Sequence, residues 1–268
     1  MSADSVHAMR LLSWIPVVIV TLANLIGLAI DAPAVADWSQ VLLMPALAVV
    51  LLAMPREERG PAWPWALGAL AGSWVGDSLP KIMPEDAKFL AMVSGFAVAQ
   101  VLWIVAFTRV PRGRPPVPWT LLLVVIAIAL LAVTVPHAGV LAPAVVVYGL
   151  LLLAVAYLAA SHGVVGASGG AFFVLSDGLI ALGAFRPEMV DWPERDLVVM
   201  ATYVAAQALF VAVILLTRPG RAGRGPRIGP ALPEAAQSSA LSLGEGARLY
   251  GSAETLRPGR GRALVGSE

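Results

Sequence analysis

The stretch Ser73-Trp74-Val75-Gly76-Asp77-Ser78-Leu79 places a carboxylate inside an otherwise apolar segment of the chain. A similar pattern returns 100 residues later, where Ser176-Asp177-Gly178-Leu179 ends another apolar run. An ionisable side chain inside a bilayer costs at least about 2.5 kcal/mol to insert, so an Asp within a membrane span indicates a functional site. Asp77 and Asp177 are therefore the first candidates for chemistry.

The composition predicts a membrane protein. Hydrophobic residues make up 59% of the 268 residues and charged residues 13%, whereas charged residues are about 25% of soluble domains. A helix of about 20 apolar residues spans the hydrocarbon core, and the apolar segments predict an all-α integral membrane protein with about eight transmembrane helices. The predicted spans are 11–30, 36–54, 63–79, 88–108, 118–135, 139–160, 166–184 and 196–217.

Short matches between the two halves of the chain predict an internal repeat. Met44-Pro45-Ala46 resembles Ala142-Pro143-Ala144 at an offset of 98, and Ala99-Gln100 resembles Ala206-Gln207 at an offset of 107. Four helices per repeat is an even number, so two parallel four-helix pseudo-repeats are predicted, about 11–108 and 118–217. This arrangement puts the two Asp at similar depth, facing one interior space.

Residues 1–217 are thus the predicted transmembrane domain, and the Gly-, Pro-, Ser- and Arg-rich residues 218–268 are predicted to be a disordered cytoplasmic tail. Orientation follows from the excess of Lys and Arg in cytoplasmic segments. With the N-terminus inside, ten basic residues near the spans are cytoplasmic and four (Lys81, Lys88, Arg186 and Arg195) lie outside. Both termini are therefore predicted to be cytoplasmic, in a multi-pass protein of the cell membrane.

The residue types also limit the chemistry. There is no cysteine, and the three histidines (His7, His137 and His162) lie in separate predicted loops without the spacing of zinc ligands. No metal or other cofactor is expected, and the basic tail is interpreted as a solvated extension rather than a nucleic-acid site. Of the other polar residues in the spans, Ser73 lies beside Asp77, while Gln100 and Gln207 are typical of helix–helix hydrogen bonding.

Several motifs together resemble the lysoplasmalogenase (YhhN-type) family of multi-spanning membrane hydrolases. The resemblance covers about 36–216 and implies hydrolysis of the vinyl-ether bond of a lysoplasmalogen, giving a fatty aldehyde and a glycerophospho-ethanolamine or -choline. It implies that the two matching Asp are the catalytic pair, and it adds Tyr203 as a supporting residue. Gln100 and Trp103 stand where the family commonly has His and Tyr. The motifs are Leu42-Leu43-Met44-Pro45-Ala46-Leu47, Gly76-Asp77-Ser78-Leu79, Phe96-x-x-x-Gln100-x-x-Trp103, Leu175-Ser176-Asp177-Gly178-Leu179 and Thr202-Tyr203-x-x-Ala206-Gln207.

Two carboxylates in a poorly solvated cavity suit this chemistry without metal or cofactor. They cannot both ionise cheaply, so one is expected to hold a proton and the other to act as a base. The expected partners are the membrane and a lysolipid substrate, and the oligomeric state is left open.

Two alternatives remain at the level of sequence. A lipid- or proton-coupled transporter also uses paired intramembrane Asp residues, but it needs a path to both membrane surfaces. In a structural or partner-binding protein, each Asp would instead be neutralised locally, Asp77 by Lys81 and Asp177 by Arg186.

Overall fold

The structure, a computed structural model, describes residues 3–217, with side chains from residue 8 onward. The predicted tail, 218–268, lies outside the described residues. Within them the chain is all-α, without strands, which confirms the predicted fold class. The helices are α1 (Ala3–Leu12), α2 (Ile15–Ala29), α3 (Pro33–Leu52), α4 (Trp63–Ser78), α5 (Glu85–Thr108), α6 (Val117–Thr134), α7 (Ala142–Ala160), α8 (Gly163–Phe185) and α9 (Arg195–Leu216).

Each of the eight predicted spans corresponds to one helix from α2 to α9. Seven helical segments in the described chain are long and apolar enough to cross a membrane. The remaining one, α4, has 16 residues, fewer than the roughly 20 that a bilayer requires, and it continues as a short 3₁₀ turn over Leu79–Ile82. Large apolar side chains such as Leu121, Val125 and Ile128 on α6 are exposed on the outer surface, as expected for contact with lipid.

Pro16 and Pro143 lie at the starts of helices. Pro16 lies at the first turn of α2, which begins at Ile15 rather than at Leu11. Pro143 lies in the first turn of α7, where its missing N–H leaves no intrahelical bond unmade. Pro45 lies within α3.

Consecutive helices pack on each other within each half of the chain, most closely α4 on α5 and α8 on α9. Between the halves, α5 packs on α7, and α9 packs on α2, α3 and α4. If α2–α5 are exchanged for α6–α9, the α5–α7 contact becomes the α9–α3 contact, but the α2–α9 contact has no counterpart of similar extent between α6 and α5. The packing is therefore only partly symmetric, and the pseudo-repeat stays a prediction.

Glycines bring α4 and α5 close together next to the first candidate Asp. A Cβ added at Gly95 would lie 2.5 Å from the backbone nitrogen of Gly76, and one added at Gly72 would lie 3.0 Å from the backbone nitrogen of Ala99. Such small-residue faces let helix backbones approach closely in lipid. The seam holds Gly76, the residue before Asp77, against α5.

We expect Gly95→Ala to destabilise the protein by about 1–3 kcal/mol, because the new methyl group meets backbone atoms that cannot move aside. Gly68→Ala on the same seam is the matched control, since its Cβ would lie 3.4 Å from the flexible end of Leu102. Thermal unfolding of both variants in detergent measures the difference. Equal melting temperatures would show that the α4–α5 seam is looser than described.

Candidate active site

The six residues predicted for the site all lie in the interior. Asp77 is 4% and Asp177 6% exposed. Tyr203 on α9 and Ser73 on α4 are also buried, as are the two glutamines, Gln100 on α5 and Gln207 on α9. Their hydrogen bonds divide them into three groups, one around each Asp and one below Asp77.

Asp77 accepts a hydrogen bond on each carboxylate oxygen. The Tyr203 hydroxyl donates to Oδ2 at 2.9 Å, and Gln40 Nε2 donates to Oδ1 at 3.1 Å. The amide oxygen of Gln40 in turn accepts from Lys81 Nζ at 3.0 Å, and Lys81 forms an ion pair with Asp37. Gln40 therefore separates the Asp77 carboxylate from this cation.

Asp177 has a different arrangement of donors. Its Oδ2 accepts from the Tyr148 hydroxyl at 2.7 Å and from Gln100 Nε2 at 3.3 Å. Its Oδ1 has only the Ser176 hydroxyl nearby, at 3.4 Å. Two donors thus converge on one oxygen, and the other oxygen is more weakly held.

Gln207 joins three helices below Asp77. Trp103 Nε1 donates to Gln207 Oε1 at 3.1 Å, and Gln207 Nε2 donates to Ser73 Oγ at 3.3 Å. Both hydrogen bonds are buried and link α5, α9 and α4. Gln207 therefore forms hydrogen bonds between helices, as expected. Gln100 instead donates directly to a candidate catalytic carboxylate.

The two Asp line adjoining cavities. Asp177 lies in the wall of one cavity and Asp77 in the wall of the other. Met92, Phe96 and Ile180 line both cavities, so the cavities meet at these residues. The single interior space expected from the sequence stays a prediction. The carboxylates are still close enough to interact electrostatically, and Tyr203 interacts with both.

The cavity at Asp177, the apolar cavity, lies between α5, α6, α7 and α8. Its lining is hydrophobic except for a few groups that include Tyr148, Thr134 and Asp177 itself. On α7 the lining residues extend from Ala144 to Leu153, which at 1.5 Å per residue is about 14 Å of helix. The cavity volume is about 80 Å³, so the space is narrow, and its apolar lining suits part of a hydrocarbon chain.

The cavity at Asp77, the polar cavity, lies between α2, α3, α4 and α9. Asp37, Lys81 and Asp196 line it near the helix ends, and their exposure places them at its mouth. Buried polar groups line its interior, among them Asn24 and Tyr203. This cavity suits a polar ligand that enters from the membrane surface.

Aromatic side chains fill the interior on the side of the two carboxylates that lies away from the mouth of the polar cavity. Trp103, Phe107, Phe173 and Phe210 are each at most 1% exposed, and Phe210 contacts the other three with ring centroids 5.2–5.5 Å apart. These rings form one buried aromatic cluster. A transporter that moves its substrate through this site would need a path there.

Neither Asp forms an ion pair within the described residues. The two cations expected to neutralise them pair elsewhere, Lys81 with Asp37 and Arg186 with Glu188. The carboxylates are instead held by neutral donors, which is unlike the local neutralisation expected of a purely structural pair. Residues 3–217 also contain no cluster of three His, Cys, Asp or Glu side chains that could hold a metal ion.

Sequence reasoning missed two residues that touch the carboxylates. Gln40 on α3 and Tyr148 on α7 donate directly to Asp77 and Asp177. Both were visible as isolated polar groups in apolar segments, the same signal that singled out Gln100 and Gln207. The sequence does not show how α3 and α7 are rotated about their axes, so it does not show that these two side chains face the Asp residues.

The fold and these carboxylates define a multi-pass α-helical membrane protein with a buried acidic site. The chain belongs to the YhhN family, whose family model matches residues 36–214. That range includes both Asp and all of their hydrogen-bond donors named above.

Curated relatives point to the same group of proteins. The chain is 36% identical over 147 residues to the human protein named lysoplasmalogenase TMEM86B, a match that covers 53% of this chain and 59% of the human protein. It is 33% identical over 174 residues to the pig protein of the same name, covering 62% of this chain and 70% of the pig protein. The chain thus spans less than two thirds of the human relative. No solved structure matches it.

Proposed function

We propose that this protein is a membrane hydrolase that cleaves the vinyl-ether bond of lysoplasmalogens. The observation that carries the proposal is the Asp177 carboxylate, held by Tyr148 in the wall of an apolar cavity, with Asp77 in the wall of the adjoining cavity. Membership of the YhhN family and the names of the mammalian relatives support it.

Hydrolysis of a vinyl ether needs an acid, a water molecule and a base. The acid protonates the β-carbon of the C=C bond, and the positive charge is shared between the α-carbon and the ether oxygen. Water adds to the α-carbon while the base takes its proton, giving a hemiacetal. The bond between this carbon and the glycerol oxygen then breaks. The glycerol oxygen takes up the proton held by the base, and the hemiacetal hydroxyl gives its proton back to the acid as the C=O bond forms. A fatty aldehyde and the glycerophospho-alcohol leave.

The two carboxylates fit these roles unequally. The β-carbon belongs to the hydrocarbon chain, so the acid should lie at the apolar cavity, which Asp177 lines. Asp177 Oδ1, with one weak partner, is the oxygen free to carry and donate a proton. Asp77 accepts hydrogen bonds on both oxygens, an arrangement that suits the ionised base. We therefore assign Asp177 as general acid and Asp77 as general base.

The proposed location is the cell membrane, with both termini in the cytoplasm. Six basic residues lie at the helix ends opposite the mouth of the polar cavity. They are Arg10, Arg56, Arg59, Arg109, Arg112 and Arg114. Basic residues of short loops are retained on the cytoplasmic side. The polar cavity would then open toward the outer face of the membrane, and the substrate would enter from the outer leaflet.

Purified protein in detergent or liposomes should release fatty aldehyde from a lysoplasmalogen. A lysolipid with a saturated ether at the same position is the matched control, because it differs only in the C=C bond that the acid must protonate. An acyl lysolipid tests for esterase activity. We expect aldehyde from the first substrate and no cleavage of the other two, measured by mass spectrometry. Release of fatty acid alone would replace the proposal with a lysophospholipase.

A further inference from the structure

A second apolar space adjoins the apolar cavity on the side that faces the surrounding lipid. It is a groove between α6 and α8 with a volume of about 350 Å³, called here the α6–α8 groove. Leu122 and Leu175 line it and are 48% and 46% exposed, so the groove is open to the bilayer. Two residues of α6 and two of α8 line both the groove and the apolar cavity, so the two spaces meet there. These four residues are Leu123, Leu130, Val174 and Gly178.

The place where the groove and the cavity meet is next to the candidate acid and is bounded by flexible side chains. Gly178 directly follows Asp177 in the chain, and a Cβ added at Gly178 would lie 3.2 Å from Leu130 Cδ1. The α6 helix packs on α7 more than on α8, and its buried residues are Leu123 and Thr134. A leucine side chain changes rotamer far faster than an enzyme turns over, so Leu130 can move aside for a hydrocarbon chain.

The volumes show why a fatty chain needs both spaces. An apolar protein cavity of about 150 Å³ holds one benzene molecule, which has six carbons. On this scale the apolar cavity, at about 80 Å³, holds roughly three carbons. The α6–α8 groove, at about 350 Å³, has room for roughly fourteen more. A long chain whose vinyl ether lies at Asp177 therefore cannot end inside the apolar cavity.

We propose that the α6–α8 groove holds the distal part of the hydrocarbon chain of the substrate, while the carbons nearest the vinyl ether lie in the apolar cavity. The inference rests on the proposed function. The residues that line the groove are apolar, and lipid tails are as apolar as a leucine side chain. A chain therefore passes sideways from the bilayer into the groove at little cost, and its head group remains on the side of the polar cavity.

The test fills the groove at positions that do not line the apolar cavity. Leu122→Trp on α6 and Leu175→Trp on α8 each add a large ring there. Aldehyde release is measured from two vinyl-ether lysolipids with the same head group, one with a four-carbon and one with a sixteen-carbon alkenyl chain. Relative to the wild-type protein, each variant should lower the ratio of kcat/KM for the long chain to that for the short chain by about 10- to 100-fold. Unequal partition of the two substrates into micelles affects every variant alike and cancels in this comparison.

Leu121→Trp and Phe172→Trp are the matched controls. Leu121 precedes Leu122 on α6, and Phe172 lies three residues before Leu175 on α8. Both are exposed to lipid but line neither the groove nor the apolar cavity, so both variants should keep the wild-type ratio. Leu122→Phe and Leu175→Phe, with smaller rings, serve if the Trp variants are not recovered as folded protein.

The outcomes distinguish this inference from the proposed function. An unchanged ratio in both groove variants, or an equal loss of turnover with both substrates, would overturn the role of the groove and leave the hydrolase proposal intact. A similar fall of the ratio in the control variants would also overturn it, because any bulky residue facing lipid would then have the same effect. Absence of aldehyde from both substrates with the wild-type protein would remove the hydrolase proposal itself, and with it the inference.

Discussion

Asp77→Asn and Asp177→Asn are each expected to lower aldehyde release by about 10²- to 10⁴-fold, the range typical of losing a general acid or base. Asn keeps the shape and polarity of the side chain but cannot exchange a proton. At position 177 the Tyr148 and Gln100 donors share one oxygen, which the amide keeps. At position 77 the amide oxygen can accept from Gln40 while the Tyr203 hydroxyl rotates to accept from the new NH₂ group, so the protein should remain folded. Initial rates of aldehyde formation from a lysoplasmalogen measure the loss.

The two losses should not add. When two groups act in one proton-transfer sequence, removal of either stops the sequence, so the double variant should be scarcely slower than each single one. Asp86→Asn is the matched control, because Asp86 is an exposed carboxylate in the first turn of α5 and lines neither cavity. Substantial turnover by either Asn variant would refute the acid–base pair. Unfolding of both would favour a structural role.

The sequence predicted the helices and the burial of the two Asp for simple physical reasons. A run of about 20 apolar residues in a bilayer has no alternative to a helix, because every backbone group must be paired within the segment. A carboxylate in such a run is costly in lipid, so it faces the protein interior. These arguments need no knowledge of which helices are neighbours, and the structure agrees with them at Asp77 and Asp177.

The division of the site into two cavities was not predictable in this way. The cavities meet at Met92, Phe96 and Ile180, which are ordinary apolar residues in apolar helices. Gln40 and Tyr148 were equally hard to assign, since their contacts with the Asp residues depend on how α3 and α7 are rotated toward their neighbours. In a chain that is apolar on nearly every helix face, hydrophobic periodicity gives little information about rotation.

Gln100 shows how one difference from the family pattern is accommodated. It stands at the position where the motif of the family commonly has His, and its Nε2 donates to Asp177 Oδ2. An amide can orient a carboxylate but cannot carry a proton at neutral pH. In the proposed mechanism Gln100 can therefore only orient Asp177, as the Tyr148 hydroxyl also does at the same oxygen.

Tyr148→Phe and Tyr203→Phe should each lower turnover by about 10- to 100-fold, because a hydrogen bond to a charged group contributes about 1.5–3 kcal/mol. Both are positioning residues, whose hydroxyls donate to Asp177 and Asp77 at 2.7 and 2.9 Å. The loss should appear mainly in kcat, since neither substitution removes apolar lining from the cavities. Steady-state kinetics of aldehyde release distinguishes kcat from KM.

Tyr157→Phe provides the matched control for this last prediction. Tyr157 lies on α7 with Tyr148, but it is 40% exposed and lines neither cavity. Its loss of a hydroxyl should leave kcat unchanged. If Tyr148→Phe and Tyr203→Phe also keep wild-type kcat, hydrogen bonds from tyrosine do not set the carboxylates for proton transfer. A loss confined to Tyr148→Phe would instead mean that Asp177 alone carries out the acid–base chemistry, because Asp77 would then tolerate the loss of its closest donor.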